Sequence, residues 1–370
     1  MYDFIVVGAG PPGSRFAYQT ARAGHDVLLL EKGTIGEPLA CSGHVSTDIW
    51  GYLPEEAQTE LLQNEISGAR FHTGSANSRA YPFYKDETIS HVIDRVQLDK
   101  QLAQRAQDAG ADVRESHNVT NVVEYESHVD VTAVTGRGQS ETFSAHLVAG
   151  CDGPTSRVRR AAELPEPDEL LHGVLAFSDE VDAGNYVDVH LTAPSFFAWR
   201  IPRGDAGVEY GVAAPPSTGV SELFTDLTSA YNVTSTHRCS GTIPHRCSGT
   251  IPIGPPESVT TDRIFLIGDA AAQTKPFTGG GILYSLTAAD IAAKTISPTD
   301  LSTLSAYETT WRDALLREIR LGMIIRRCYS LPRPLQRIGL RMLSGKIGVH
   351  MDHPSSFFSR KNITQLLTRD

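Results

Sequence analysis

MYDFIVVGAGPPGSRFAYQTARAGHDVLLLEK, residues 1–32, decides the fold. Tyr2 to Val7 reads as a short buried strand, and Gly-Ala-Gly-Pro-Pro-Gly follows at residues 8–13. A helical stretch runs to Ala23, Gly24 stops it, and Val27 to Leu30 is a second apolar strand ending at Glu31. Strand, glycine turn, helix, strand and acid make a βαβ dinucleotide fingerprint. Gly8 permits the tight turn, Gly10 lets the backbone approach a pyrophosphate, and Gly13 lets helix and strand pack closely. Free N–H groups at the helix start face the phosphates. Glu31 is placed to accept hydrogen bonds from an adenosine ribose, and Lys32 is assigned to the cofactor beside it.

The chain has 370 residues, which suits one large two-lobed unit or two domains. Hydrophobic content of 40% and charged content of 21% are ordinary for a globular protein. A net charge of −10 argues against general nucleic-acid binding. No apolar run is long enough to span a bilayer, and no basic leader precedes the first strand. A cytoplasmic location is expected. Five cysteines in a long chain do not suggest a disulfide framework, and no metal is expected.

Beyond the second strand, residues 33–46 form a loop of small and turn-forming residues that carries Cys41. Residues 48–64 look helical. Residues 67–91 read as short strands leaving the nucleotide domain. Asp94-Arg95 opens an amphipathic helix to Ala109, and Arg95 is a candidate contact for cofactor phosphate or sugar. Three strands of a meander follow, and the third ends in Gly150-Cys151-Asp152-Gly153, which places Asp152 near the cofactor. Four further strands between 173 and 214 suggest an antiparallel substrate sheet. One of them holds Phe196-Phe197-Ala198-Trp199-Arg200-Ile201-Pro202. Alternation puts Phe197, Trp199 and Ile201 on one face, with Phe196, Ala198 and Arg200 on the other. His237 to Pro244 is repeated without change as His245 to Pro252, so one copy should be surplus to the fold.

Arg263 to Ala271 returns to the nucleotide domain as a buried strand ending in Gly268-Asp269. Gly279-Gly280-Gly281 then leads into a helix starting at Ile282. Asp269 is placed for sugar hydroxyls, and the glycine-rich helix start for a negatively charged ring. This second element changes the expected cofactor from NAD to FAD. The remainder is helical and basic. Between Trp311 and Lys346 there are nine Lys or Arg against two acids, a pattern that suits an anionic lipid surface.

The expected class is α/β, α+β overall: a Rossmann-type FAD-binding domain, an inserted antiparallel-sheet substrate domain and C-terminal helices. The expected boundaries are 1–66, 92–160 and 260–298 for the first, 67–91 and 161–259 for the second, and 299–370 for the last.

GAGPPG with Glu31, Asp94-Arg95, GCDGPTSRVRR and GDAAAQTKPFTGGGI together resemble the FAD-dependent group that includes p-hydroxybenzoate hydroxylase. Within it, Ala40-Cys41-Ser42-Gly43 and Phe197 to Pro202 resemble the geranylgeranyl reductase family. That family has a Cys-containing loop and a Tyr-x-Trp-x-Phe-Pro motif; here Phe197 stands for the Tyr and Ile201 for the Phe. The resemblance implies saturation of isoprenoid double bonds by reduced flavin, on archaeal-type ether lipids or a related prenyl substrate. It implies catalytic roles for Cys41, Phe197 and Trp199, the aromatic pair lining an apolar cavity and Cys41 or a water giving a proton. The electron donor it implies is NADPH, ferredoxin or another reduced carrier. Two rivals share the flavin motifs: an aromatic or polyketide monooxygenase, and a non-catalytic flavin carrier. A halogenase is disfavoured because no Trp-x-Trp-x-Ile-Pro segment is present.

Overall fold

In the computed structural model, three sheets share out the strands of residues 1–37, 41–233, 247–345 and 350–358, the residues described here. The chain starts with β1 (Tyr2–Val7), α1 (Pro11–Arg22) and β2 (Val27–Leu30). Next come β3 (His44–Ser46), a 3-10 helix (Thr47–Tyr52), α2 (Ala57–Leu61), β4 (Leu62–Ile66), β5 (Gly68–His72), β6 (Ala80–Tyr84) and β7 (Ser90–Ile93). After α3 (Arg95–Asp108) the chain runs through β8 (Asp112–Arg114), β9 (His117–Glu124), β10 (Val129–Thr135), β11 (Ser140–Gly150) and α4 (Arg157–Ala161). The second lobe adds β12 (Glu169–Ser178), β13 (Tyr186–His190), β14 (Ala198–Pro202), β15 (Val208–Ala214), α5 (Val220–Ala230) and β16 (Cys247–Ile253). The chain then returns with β17 (Ile264–Leu266), α6 (Ile282–Thr295), α7 (Thr303–Arg327) and α8 (Arg333–Leu343).

The first sheet has the order β8-β2-β1-β11-β10-β9, with β17 also on β11. Its strands β8, β2, β1, β11 and β17 run parallel, and β9 and β10 form the antiparallel meander. The parallel strands are buried on both faces, which is why they read as continuous Val, Ile, Leu and Phe. Their core reaches as far as Trp311 and Ile319 of α7. Thus α7 is built onto the first lobe, whereas Leu340 of α8 packs against the second.

The second sheet has the order β16-β12-β15-β14-β13-β5-β6. It is antiparallel except where β13 pairs parallel with β5, a departure from the wholly antiparallel sheet the sequence suggests. One face of it packs on Phe224 and Leu227 of α5. The other face carries Phe197, Ile201, Val187 and Val189 and fronts a cavity. A small third sheet, β3-β7-β4, joins the two lobes.

Two local expectations change. The single helix expected over 48–64 is a 3-10 helix, α2 and then β4, because Leu62–Ile66 finds a long-range partner in β7. Phe196 does not alternate with Phe197. It precedes β14, after Ser195 at φ +60°, so the strand rule does not reach it, and the two rings stack at 4.3 Å. The first copy of the tandem repeat lies outside the described residues; Cys247 to Pro252 of the second copy form the edge strand β16 against β12.

Candidate functional site

One cavity of about 980 Å³ runs between the lobes. At one end its wall is backbone and small side chains: Gly10, Pro11, Gly153, Gly279, Gly280 and Gly281, with Asp269 among them. At the other end its wall is apolar: Phe71, Val187, Val189, Phe197, Trp199 and Leu340. Ligand pockets commonly enclose about 300–1,000 Å³, so this volume suits a large ligand or two adjoining ones.

The glycine end is shaped by contacts that leave no room for side chains. A Cβ on Gly8, whose φ is +101°, would lie 2.5 Å from the Cys151 carbonyl oxygen. A Cβ on Gly13 would lie 1.9 Å from the Gly8 carbonyl oxygen. By contrast, a Cβ on Gly10 would meet only Pro12, at 4.0 Å, so this residue borders open space at the start of α1. The Glu31 carboxylate accepts from the Ala9 N–H at 2.8 Å and the Gly33 N–H at 3.3 Å, at the tip of β2. Lys32 beside it is exposed. Across the cavity, α6 begins at Gly281 with no side-chain cap and no acid in its first turn, so its leading N–H groups remain available to an anion. Ile282, its first residue, lines the cavity. A Cβ on Gly281 would lie 2.8 Å from Asp269 Oδ1, which brings that carboxylate against the helix start. Burial, opposed by Arg95, raises the Asp269 pKa to about 6. A buried carboxylate of this kind suits hydroxyl donors that would hold it ionised.

Arg95 is not a surface residue. Its side chain lines the cavity, gives Nη1 and Nη2 to Asp99 at 2.5 and 3.1 Å, and gives Nε to Cys41 Sγ at 3.4 Å. Burial pushes the Cys41 thiol up, with Arg95 opposing, so it keeps its proton at neutral pH. Asp152 requires a correction. Its Oδ1 accepts from Ser156 Oγ and its Oδ2 from the N–H groups of Arg157 and Val158. The carboxylate is spent on the start of α4, and the neighbouring Gly153 is the residue that lines the cavity.

At the apolar end, Phe197 stands edge-on to Trp199 at 5.9 Å and to Tyr329 at 5.8 Å. Trp199 lies flat over β15 because its partner there is Gly211; a Cβ at that position would fall 2.2 Å from the indole. The indole Nε1 donates to Glu209 Oε1 at 2.7 Å. Arg203 binds the other oxygen of Glu209 at 3.2 Å and the Ser42 carbonyl at 2.5 Å. It also donates to Gln63. This buried chain ties the aromatic strand to the Cys41 loop. Burial raises the Glu209 pKa against the pull of Arg203. Neither Glu209 nor Arg203 was expected from sequence. The available signal was Arg203 just past β14 and Glu209, an acid six residues on, inside the otherwise uncharged β15.

Lys275, which lines the cavity beside Gly280, and Asp352 form a second unforeseen pair, 2.5 Å apart and buried. Burial works against ionised Asp352, but Lys275, Ser46 and His350 together hold the carboxyl low. Nearby His44 is pushed down to about 4 by burial and Lys275, so it is neutral. Asp48, His350 and His353 also bring one ligand-type atom each within 4.8 Å, on an edge that is mostly exposed. Such a trio occurs commonly without an ion.

The cradle, with the uncapped start of α6, has the form of a dinucleotide site, and similarity to known proteins makes this a flavin-dependent oxidoreductase. A sequence model of FAD binding domains matches residues 1–179. Curated relatives point further. A digeranylgeranylglycerophospholipid reductase of Methanocaldococcus jannaschii is 30% identical over 332 residues, covering 85% of this chain and 83% of that protein. Digeranylgeranylglycerophospholipid reductase 1 of Methanococcoides burtonii is 29% identical over 352 residues, covering 89% and 84%. The chain belongs to the digeranylgeranylglycerophospholipid reductase family. Among solved structures, a geranylgeranyl bacteriochlorophyll reductase-like protein from Thermoplasma acidophilum superposes with TM-score 0.80 at 22% identity, covering 99% of this chain and 95% of that one. The p-nitrophenol 4-monooxygenase PnpA of Pseudomonas putida gives 0.74 at 16% identity, covering 100% and 99%. At these identities the two structures show a shared fold, and that fold does not separate reductases from monooxygenases.

Proposed function

We propose that this protein is an FAD-dependent reductase that saturates C=C bonds of geranylgeranyl chains on ether-type lipids. The observation that carries this is the single cavity, polar and backbone-lined at one end, apolar and aromatic at the other. A long hydrocarbon chain needs such a wall, and an unactivated alkene offers no carbonyl for an acid or a base to polarise. The name shared by the relatives supports the same substrate class.

In this proposal Gly8, Gly10 and Gly13 admit the pyrophosphate, Glu31 and Lys32 lie at the adenosine side, and Asp269 binds sugar hydroxyls. The α6 start at Gly279 to Ile282 faces the ring, and Arg95 holds the Cys41 loop against it. FAD, when bound and reduced, supplies the electron pair. The protein's own tasks are positioning and water exclusion. Phe197 and Trp199 press the alkene toward the cofactor end, with Trp199 fixed by Gly211 behind it and Glu209 at its N–H. Cys41, which lines the cavity and keeps its proton, is the candidate proton donor to the second alkene carbon. The electron donor is a reduced carrier such as NADPH or ferredoxin. A cytoplasmic enzyme in peripheral contact with the membrane suits this substrate, and among the described residues no helix is long and apolar enough to cross one. The division into a discontinuous nucleotide domain, a substrate domain and a helical end remains part of the proposal.

Reduced enzyme incubated with a digeranylgeranyl lipid should raise the lipid mass in steps of two hydrogens. No gain, or an oxygen-dependent gain of one oxygen atom, would overturn the reductase assignment and favour a monooxygenase.

A further inference from the structure

Among the described residues, the last two helices carry a cluster of exposed apolar side chains. Ile324 is 54% exposed, Leu331 41%, Leu335 52%, Ile338 56% and Met342 64%. All five lie at the end of α7, on α8 or in the turn between them. Scattered exposed apolar residues need no explanation, but a cluster does.

The arrangement on α8 is three-sided. At about 100° per residue, Leu335, Ile338 and Met342 fall within roughly 60° of arc. Gln336, Gly339, Leu340 and Leu343 occupy a second side, and these four line the cavity. Arg333, Arg337 and Arg341 occupy the third, and all three are exposed. Apolar side and cavity side adjoin, so the greasy surface outside continues into the greasy wall inside. Leu331, Leu335 and Ile324 belong to both the exposed cluster and the cavity lining. The sequence has no acid between Glu318 and Asp352, so α8 itself carries only basic charge, although Glu169 from β12 pairs with Arg326 at the end of α7.

We infer that α8 lies in the surface of an anionic lipid bilayer and forms the doorway through which a lipid chain enters the cavity. This rests on the lipid reductase assignment above and names the surface from which that site is served. Ile338 and Met342 sink among acyl chains while the three arginines reach the head-group phosphates. A prenyl chain then passes from bilayer to cavity along Leu335, Leu331 and Leu340 without crossing water. A second copy of this chain is a poorer occupant, since pairing two such faces would set their arginines against each other.

The test is co-sedimentation of the FAD-loaded protein with phosphatidylglycerol or phosphatidylcholine vesicles. Wild type should bind the anionic vesicles more tightly, with salt weakening the binding. An I338D/M342D variant, altered at two positions outside the cavity lining, should lose binding about ten-fold or more. An R333Q/R341Q variant should lose about five-fold per arginine on phosphatidylglycerol and little on phosphatidylcholine. Flavin absorbance confirms that each variant is folded. Wild-type-like binding by I338D/M342D, or no vesicle binding by wild type, would overturn the inference. So would a dimer by light scattering that I338D/M342D splits, which would assign the face to a second copy. Turnover of detergent-dispersed lipid separates the two claims. If I338D/M342D reduces dispersed lipid but ignores vesicles, both stand; if wild type binds vesicles yet reduces nothing, the docking stands and the reductase assignment falls.

Discussion

The two ends of the cavity are built by different means. The nucleotide end is made of backbone: glycines whose missing side chains let strands, turns and helix starts close up. The hydrocarbon end is made of side chains: Phe197, Trp199, Val187, Val189 and Leu340, held by residues behind them. Backbone can be placed to a fraction of an ångström only where nothing projects. Side chains give shape but need support. The first end should therefore be brittle, and the second tunable.

Two identical substitutions test the contrast. Gly13→Ala sets a Cβ 1.9 Å from a carbonyl oxygen that has nowhere to go. Overpacking of this kind costs about 1–3 kcal/mol or more, and purified protein should lose most of its flavin absorbance along with several degrees of Tm. Gly211→Ala sets a Cβ 2.2 Å from the Trp199 indole, which can tilt away. Here flavin content should stay normal while turnover falls roughly ten-fold, equal to about 1.4 kcal/mol, and Trp fluorescence should shift. Equal loss of flavin in both variants would erase the distinction.

A smaller effect sharpens the nucleotide end. Asp269 has its pKa raised to about 6 by burial. Cofactor hydroxyls donate more strongly to the ionised carboxylate, so binding favours release of its proton below that value. FAD affinity of the apoprotein should therefore rise with pH through about 6 and flatten above it, by at most ten-fold per pH unit. Asp269→Asn should weaken binding and remove that slope in a fluorescence titration. A slope that survives in the variant would assign it to another group, of which Asp99 is the nearest rival by its own raised value of about 6.

Legibility in the sequence follows the same division. The β1–α1–β2 unit, the meander and the Gly268-Asp269 return are local patterns, and local patterns survive reading one residue at a time. Residues 62–66 were lost because their strand exists only through β7. Asp152 looked like a cofactor group because a strand end is where such groups sit; that Ser156 and two N–H groups would claim it depends on a turn of α4 too short to recognise. The Arg203–Glu209–Trp199 chain needs the register of β14 on β15, and Lys275 meets Asp352 across 77 positions of sequence. Hydrophobic pattern cannot supply either. Of the wall, Phe197 and Trp199 were legible as bulk concentrated in one strand; Phe71, Val187, Val189 and Leu340 come from other elements and were not.

The Arg203 chain has one more consequence. It bolts the floor of the hydrocarbon end, through Glu209, to the loop beside the cofactor, through Ser42. A molecule that opened like a jaw would have to tear this buried pair on every turnover. The cavity is better likened to a sleeve. In the proposed reaction, a prenyl chain would then have to thread in lengthwise, because a hinge between the two ends would break the Arg203–Glu209 pair.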